Sequence, residues 1–122
     1  MGRLLITGGS GYLGRHLVPF AGIEKDVVYT YFQNDPLALA TGHKLDICDE
    51  VSVDQLVADI NPEAIIHTIG SNRAVDLNQV IVEGTRHVAQ AAVKNDVRLI
   101  HVSTDALFSG EDAPYNEDAL PT

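Results

Sequence analysis

RLLITGGSGYLG, residues 3–14, joins an apolar run to an amphipathic one through a cluster of small residues, and its reading decides the fold. Arg3-Leu4-Leu5-Ile6 has the pattern of a short buried strand. Tyr12 to Val18 resumes with helical spacing, so the glycines stand at a strand-to-helix turn. Without a Cβ, glycine permits the tight bend and lets backbone N–H groups approach a pyrophosphate. The unbonded N–H groups of the first helical turn, at the positive end of the helix dipole, then hold the anion. The run satisfies both Gly9-x-Gly11-x-x-Gly14 and Gly8-x-x-Gly11-x-x-Gly14. A nucleoside-triphosphate loop is excluded, because Arg15-His16 stand where lysine and a magnesium-binding hydroxyl are required.

Outward from this turn, strands and helices alternate. Strands are expected at Arg3–Thr7, Val27–Phe32, His43–Leu45, Ala64–Ile69 and Val97–Val102. Helices are expected at Tyr12–Ala21, with Pro19 ending or kinking it, and at Val75–Lys94. Between them a capping box at Ser52-x-x-Gln55 leads a helix through Val53, Leu56, Val57 and Ile60, which Pro62 breaks. Gln33–Gly42 reads as a loop with room for a helical turn at Pro36–Ala40, and the chain beyond Ser103 reads as loop.

Such alternation demands an α/β fold, a doubly wound parallel sheet of about five strands with helices on both faces. Right-handed crossovers place ligands at the carboxyl ends of the strands, near the point where strand order reverses. That edge gathers Thr7–Gly11, Tyr31–Asn34, Asp46-Ile47, Thr68–Ser71 and Ser103–Asp105, which are distant in sequence.

The bulk properties narrow the partners. The chain has 122 residues, one domain's worth, with 45% hydrophobic and 20% charged residues. A net charge of −9 argues against nucleic acid or an anionic membrane as partner. A single cysteine, Cys48, fits a reducing cytoplasm and excludes an internal disulfide framework. No apolar stretch of membrane-spanning length and no signal pattern occurs. The five histidines, His16, His43, His67, His87 and His101, lack metal-ligand spacing, so no metal site is expected. An open fifth strand leaves the sheet prone to self-association, and a homo-oligomer is compatible with it.

Taken together, TGGSGYLG at Thr7–Gly14, LDICD at Leu45–Asp49, IIHTIG at Ile65–Gly70, HVSTDALFSG at His101–Gly110 and PYNED at Pro114–Asp118 resemble the extended short-chain dehydrogenase/reductases. Within that family of nucleotide-sugar epimerases, dehydratases and reductases, they are most like the dTDP-4-dehydrorhamnose reductase branch. The resemblance implies a Rossmann-type NAD(P)-binding domain over residues 1–122. It implies cofactor contacts from Gly8, Ser10, Gly11, Tyr12, Leu13, Gly14 and Tyr31. Asp46 and Ile47 would bracket adenine, while Thr68, Ile69 and Gly70 would line the ribose and nicotinamide side. Thr104 matches the family's catalytic Ser/Thr, whose hydroxyl binds the substrate carbonyl, with Ser103 and Asp105 beside it. The substrate implied for the intact enzyme is a nucleotide-linked 4-keto deoxysugar, reduced by hydride from the cofactor.

Departures from the family pattern matter as much. Four residues after Tyr12, Tyr29, Tyr31 and Tyr115 come His16, Gln33, Asp35 and Ala119, so no Tyr-x-x-x-Lys pair is present. The family's pair follows a stretch like Ala119–Thr122, which implies a chain stopping before its general acid and lacking the C-terminal substrate-binding region. Ile81 replaces an asparagine common in the family before Gly84-Thr85. Strand two offers no carboxylate until Asp35, and Arg15 supplies a cation, which favours NADP slightly and leaves NAD open. Two other readings stand beside the reductase: an epimerase or dehydratase fragment, and a non-catalytic dinucleotide-binding module that senses redox state. A Tyr-Gly-x-Ser-Lys stretch encoded after Thr122 would separate the enzyme from the module.

Overall fold

A computed structural model describes residues 2–68, 79–103, 109–111 and 113–122. Five strands, β1 (Arg3–Thr7), β2 (Asp26–Tyr31), β3 (Gly42–Lys44), β4 (Ala64–His67) and β5 (Arg98–His101), form one sheet in the order β3-β2-β1-β4-β5. Every pairing is parallel. Chain order therefore reverses between β1 and β4, and the carboxyl end of β1 opens at that switch point. This is the doubly wound Rossmann-type sheet expected from the alternation.

Each strand turns alternate residues to opposite faces, and the two cores divide accordingly. On one face Leu5, Val28 and Ile65 pack against Val53, Val57 and Ile60 of α2 (Glu50–Ile60) and Val88, Ala91 and Ala92 of α3 (Gly84–Lys94). On the other, Ile6, Val27 and Tyr29 meet Val18 of α1 (Tyr12–Ala21). Ile65 of β4 is 0% exposed, whereas Ile100 of β5, one of the two terminal strands among the described residues, is 47% exposed.

Several local expectations need correction. α2 begins at Glu50 under Asp49, whose carboxylate accepts Ser52 N–H at 3.3 Å and Ser52 Oγ–H at 2.7 Å. Ser52 thus lies inside the helix, and an Asp cap three residues earlier does the work assigned to it. No helical turn forms at 36–40. Asp35 Oδ1 accepts Ala38 N–H at 3.1 Å there, and Ala38 takes a left-handed φ of 51°. α1 runs through Pro19 to Ala21, and Gly22 N–H closes its end on Val18 O at 3.0 Å. The helix expected from Val75 begins, within the described residues, as a π-helical turn at Gln79–Glu83 that passes into α3. As expected, α2 stops before Pro62, ending at left-handed Asn61.

Candidate functional site

The glycine turn is held by β2. Gly8, at φ 72°, points its N–H at Thr30 Oγ1 (3.3 Å), and Gly9 N–H donates to Thr30 O at 2.7 Å. Gly11 N–H closes on Gly8 O at 3.0 Å. The first bond of α1 runs from Arg15 N–H to Gly11 O at 3.0 Å, so the amides of Tyr12, Leu13 and Gly14 lie ahead of the helical ladder. Gly11 stands at the N-cap without a side-chain cap, and no acidic residue sits in the first turn. A Cβ on Gly14 would run into the carbonyl of Gly8, so α1 can dock on the turn only through glycine. Close helix–turn packing with uncapped amides is the cradle that a diphosphate fits.

Beside the cradle opens a crevice of about 190 Å³. Gly8, Ser10 and Gly11 line it from the turn, Tyr31 from β2, Asp46 and Ile47 from beyond β3, and Thr68 from beyond β4. These seven are sequence candidates brought to one place. Phe32, from the expected ligand edge, and Leu45, from the Leu45–Asp49 motif, also line it, as do Thr30 and Val80, which the sequence did not single out. The volume falls below the roughly 300–1,000 Å³ typical of small-molecule sites, so this crevice is too small to enclose a large ligand whole.

Other candidates take different positions. The side chains of Tyr12 and Leu13 are exposed, at 78% and 44%, so these residues can offer amides rather than walls. Arg15 carries its guanidinium 5.4 Å from the Tyr12 ring centroid. Ile69, Gly70, Thr104 and Asp105 lie outside the described residues. Ser103 is exposed just past β5.

Supporting contacts fix the lining. Asp46 Oδ1 accepts Cys48 N–H at 3.0 Å, which orients its carboxylate at the rim. Ile47 is pinned twice: His87 Nδ1 lies 2.9 Å from its carbonyl oxygen, and α3 lies against its side chain at Gly84. A Cβ on Gly84 would stand 2.6 Å from Ile47 Cγ2. Thr68 donates its hydroxyl to Thr7 O at 2.6 Å, so it faces the crevice with its hydroxyl already engaged. His67, 1% exposed, contacts Thr7 Oγ1 at 2.7 Å and Thr85 Oγ1 at 3.0 Å. Burial, and secondarily the His101 ring stacked 5.6 Å away, push its pKa down to about 4. Histidine at the end of a buried strand was the only sequence signal for this network.

Among the described residues, no group of three or more His, Cys, Asp or Glu could hold a metal ion. No helix among them is long and apolar enough to cross a membrane.

The chain is similar to several known proteins. dTDP-4-dehydrorhamnose reductase of Streptomyces griseus is 37% identical over 125 residues, covering 95% of this chain and 38% of that protein. Methionine adenosyltransferase 2 subunit beta of Xenopus laevis is 31% identical over 135 residues, covering 98% and 37%. The crystal structure of the Bordetella bronchiseptica enzyme WbmH in complex with NAD+ superimposes with a TM-score of 0.85 at 26% identity. That superposition covers 100% of this chain and 46% of the WbmH chain, so the present chain spans less than half of each protein. The family model described as RmlD substrate binding domain matches residues 2–122, and the chain belongs to that family.

Proposed function

We propose that these residues form the nicotinamide-dinucleotide-binding part of a nucleotide-sugar reductase similar to dTDP-4-dehydrorhamnose reductase. The observation that carries this reading is the uncapped start of α1, docked on Gly8 through Gly14 at the switch point and opening onto the crevice. Amides of Tyr12, Leu13 and Gly14 hold the diphosphate, and Asp46 and Ile47 flank the adenine. Tyr31 and Thr68, which line the crevice, border the sugars, and the family resemblance adds Ile69 and Gly70 to that side. When bound, a nicotinamide would supply hydride for a ketone on a nucleotide-linked deoxysugar. Thr104 donates a hydrogen bond to that ketone oxygen, stabilising charge as it develops. NADP is the favoured form, because β2 is followed by Phe32-Gln33-Asn34 without a carboxylate, and Arg15 supplies a cation on α1.

The names of the Streptomyces griseus and Bordetella bronchiseptica proteins support substrate and cofactor class respectively. A second reading, a dinucleotide-binding module acting as a subunit of another enzyme, is favoured by the likeness to methionine adenosyltransferase 2 subunit beta. A Tyr-x-x-x-Lys pair encoded beyond Thr122 decides for the reductase, and its absence for the module.

Thermal unfolding with added dinucleotide tests the binding claim. NADPH or NADH at about a hundred times Kd adds roughly 2.7 kcal/mol to stability and raises the midpoint. An unchanged midpoint with both at millimolar concentration would refute it.

A further inference from the structure

Tyr29 of β2 is 0% exposed, and its hydroxyl lies 2.8 and 2.9 Å from the two carboxylate oxygens of Asp35. The same hydroxyl accepts Leu39 N–H at 3.0 Å. Asp35 Oδ1 also accepts Ala38 N–H, at 3.1 Å. Two glycines hold the ring: a Cβ on Gly9 would stand 2.5 Å from Tyr29 Cδ2, and one on Gly42 would stand 2.6 Å from Tyr29 Cζ. The loop between β2 and β3 is therefore anchored behind the glycine turn through one phenol. Asp35 is not among the residues that line the crevice, although Tyr31 and Phe32 before it are. Asp46, the carboxylate that does line the crevice, belongs to the segment after β3 and is held by Cys48 N–H.

We propose that the Tyr29–Asp35 contact is a selectivity device that withholds the first carboxylate after β2 from the bound ribose and so admits a dinucleotide carrying a 2′-phosphate. This rests on, and deepens, the proposed function. A carboxylate at the end of the second strand accepts a hydrogen bond from a ribose 2′-hydroxyl and repels a 2′-phosphate. Here both oxygens of that carboxylate are engaged with Tyr29, one of them also with Ala38 N–H. Burial, the largest influence on the Tyr29 pKa, raises it, so the phenol stays protonated and keeps donating at neutral pH. Tyr29 is a positioning residue: it acts on the ligand only through where it holds Asp35.

Calorimetric titration with NADH and NADPH, on the parent chain and three variants, tests this. Tyr29→Phe removes the donor, and the ratio of the two Kd values moves towards NADH by about tenfold, the effect of gaining one hydrogen bond to a charged group. Tyr29→Phe combined with Asp35→Asn returns the ratio to the parent's, since the repelling charge is gone. Asp35→Asn alone leaves it unchanged. A merely structural role for Tyr29 would weaken both ligands alike. An unchanged ratio in folded Tyr29→Phe overturns the proposal. Should that variant not fold, a shift towards NADPH in Asp35→Asn alone overturns it, because Asp35 then already meets the ribose. Binding of neither ligand by the parent refutes the dinucleotide reading itself and this inference with it.

Discussion

Thr7 Oγ1 lies 2.7 Å from His67 Nδ1, and that contact ties the exit of β1 to the end of β4 directly under the glycine turn. Thr7 Oγ1 also accepts Thr68 N–H at 3.2 Å, so the same oxygen joins the ring to the backbone just past β4. Nε2 of the same ring lies 3.0 Å from Thr85 Oγ1 on α3. One neutral histidine thus joins two strands and a helix, donating from one ring nitrogen and accepting at the other.

Stability should consequently fall in mild acid. The His67 pKa drops from 6.5 in the unfolded chain to about 4 in the folded one. Below 6.5 the unfolded state takes up a proton that the folded state refuses, so unfolding is favoured progressively until about pH 4. The full loss is roughly 3–4 kcal/mol, at about 1.4 kcal/mol per pKa unit. Urea unfolding at pH 7 and pH 4.5 measures it, and His67→Asn should flatten most of the dependence over that window.

Gly84→Ala should destabilise the chain despite its helical position. Alanine gains up to about 1 kcal/mol in helix propensity, but overpacking a core costs about 1–3 kcal/mol. Ile47 Cγ2 would stand 2.6 Å and Cγ1 3.1 Å from the new methyl group, and neither is the far end of a flexible side chain. A net loss of about 1 kcal/mol in urea unfolding is expected. In an Ile47→Ala background the same substitution should cost less, with a coupling above roughly 0.5 kcal/mol in the double-mutant cycle.

Asp49→Ala should lower the thermal midpoint more than Ser52→Ala does. Removing Asp49 strips the N-cap of α2, whereas removing the Ser52 hydroxyl leaves its backbone N–H on Asp49 Oδ1. Differential scanning calorimetry of the two variants gives the order.

The 122-residue chain should bind dinucleotide and yet show no steady-state reduction of a 4-keto deoxysugar nucleotide. None of its four tyrosines has a lysine four residues on. A measurable rate from the purified chain would show that another group delivers the proton.

The sequence made the sheet legible because strand and helix periodicities differ and the glycine turn separates them cleanly. Burial on both sides shows directly as the continuous apolar runs at Leu4–Ile6 and Ala64–Ile66. Candidates at the strand ends were legible for the same reason, since parallel topology alone gathers those ends. What escaped depended on which partner a side chain meets, near or far along the chain. Nothing local marks Asp35 as the partner of Tyr29, or His87 as the support of Ile47, forty residues away. Asp49 and Ser52 both had capping chemistry, and only the backbone entering α2 chose between them. The π-helical turn before Gly84 likewise carries the periodicity of an ordinary helix.

Gly11→Asp offers the most direct trial of the diphosphate cradle. Gly11 caps α1 at φ −75° and ψ 175°, extended backbone that any residue adopts, and aspartate there is a favourable cap. A new Cβ would lie 3.3 Å from Gly8 O, a tight approach that a small shift relieves. The variant should therefore fold with a midpoint near the parent's while its carboxylate takes the place of the anion. In calorimetric titration, NADPH should give saturable heat with the parent chain and none with Gly11→Asp. Equal affinity in both, or no heat from a folded parent with either NADPH or NADH, would contradict a dinucleotide held at this turn.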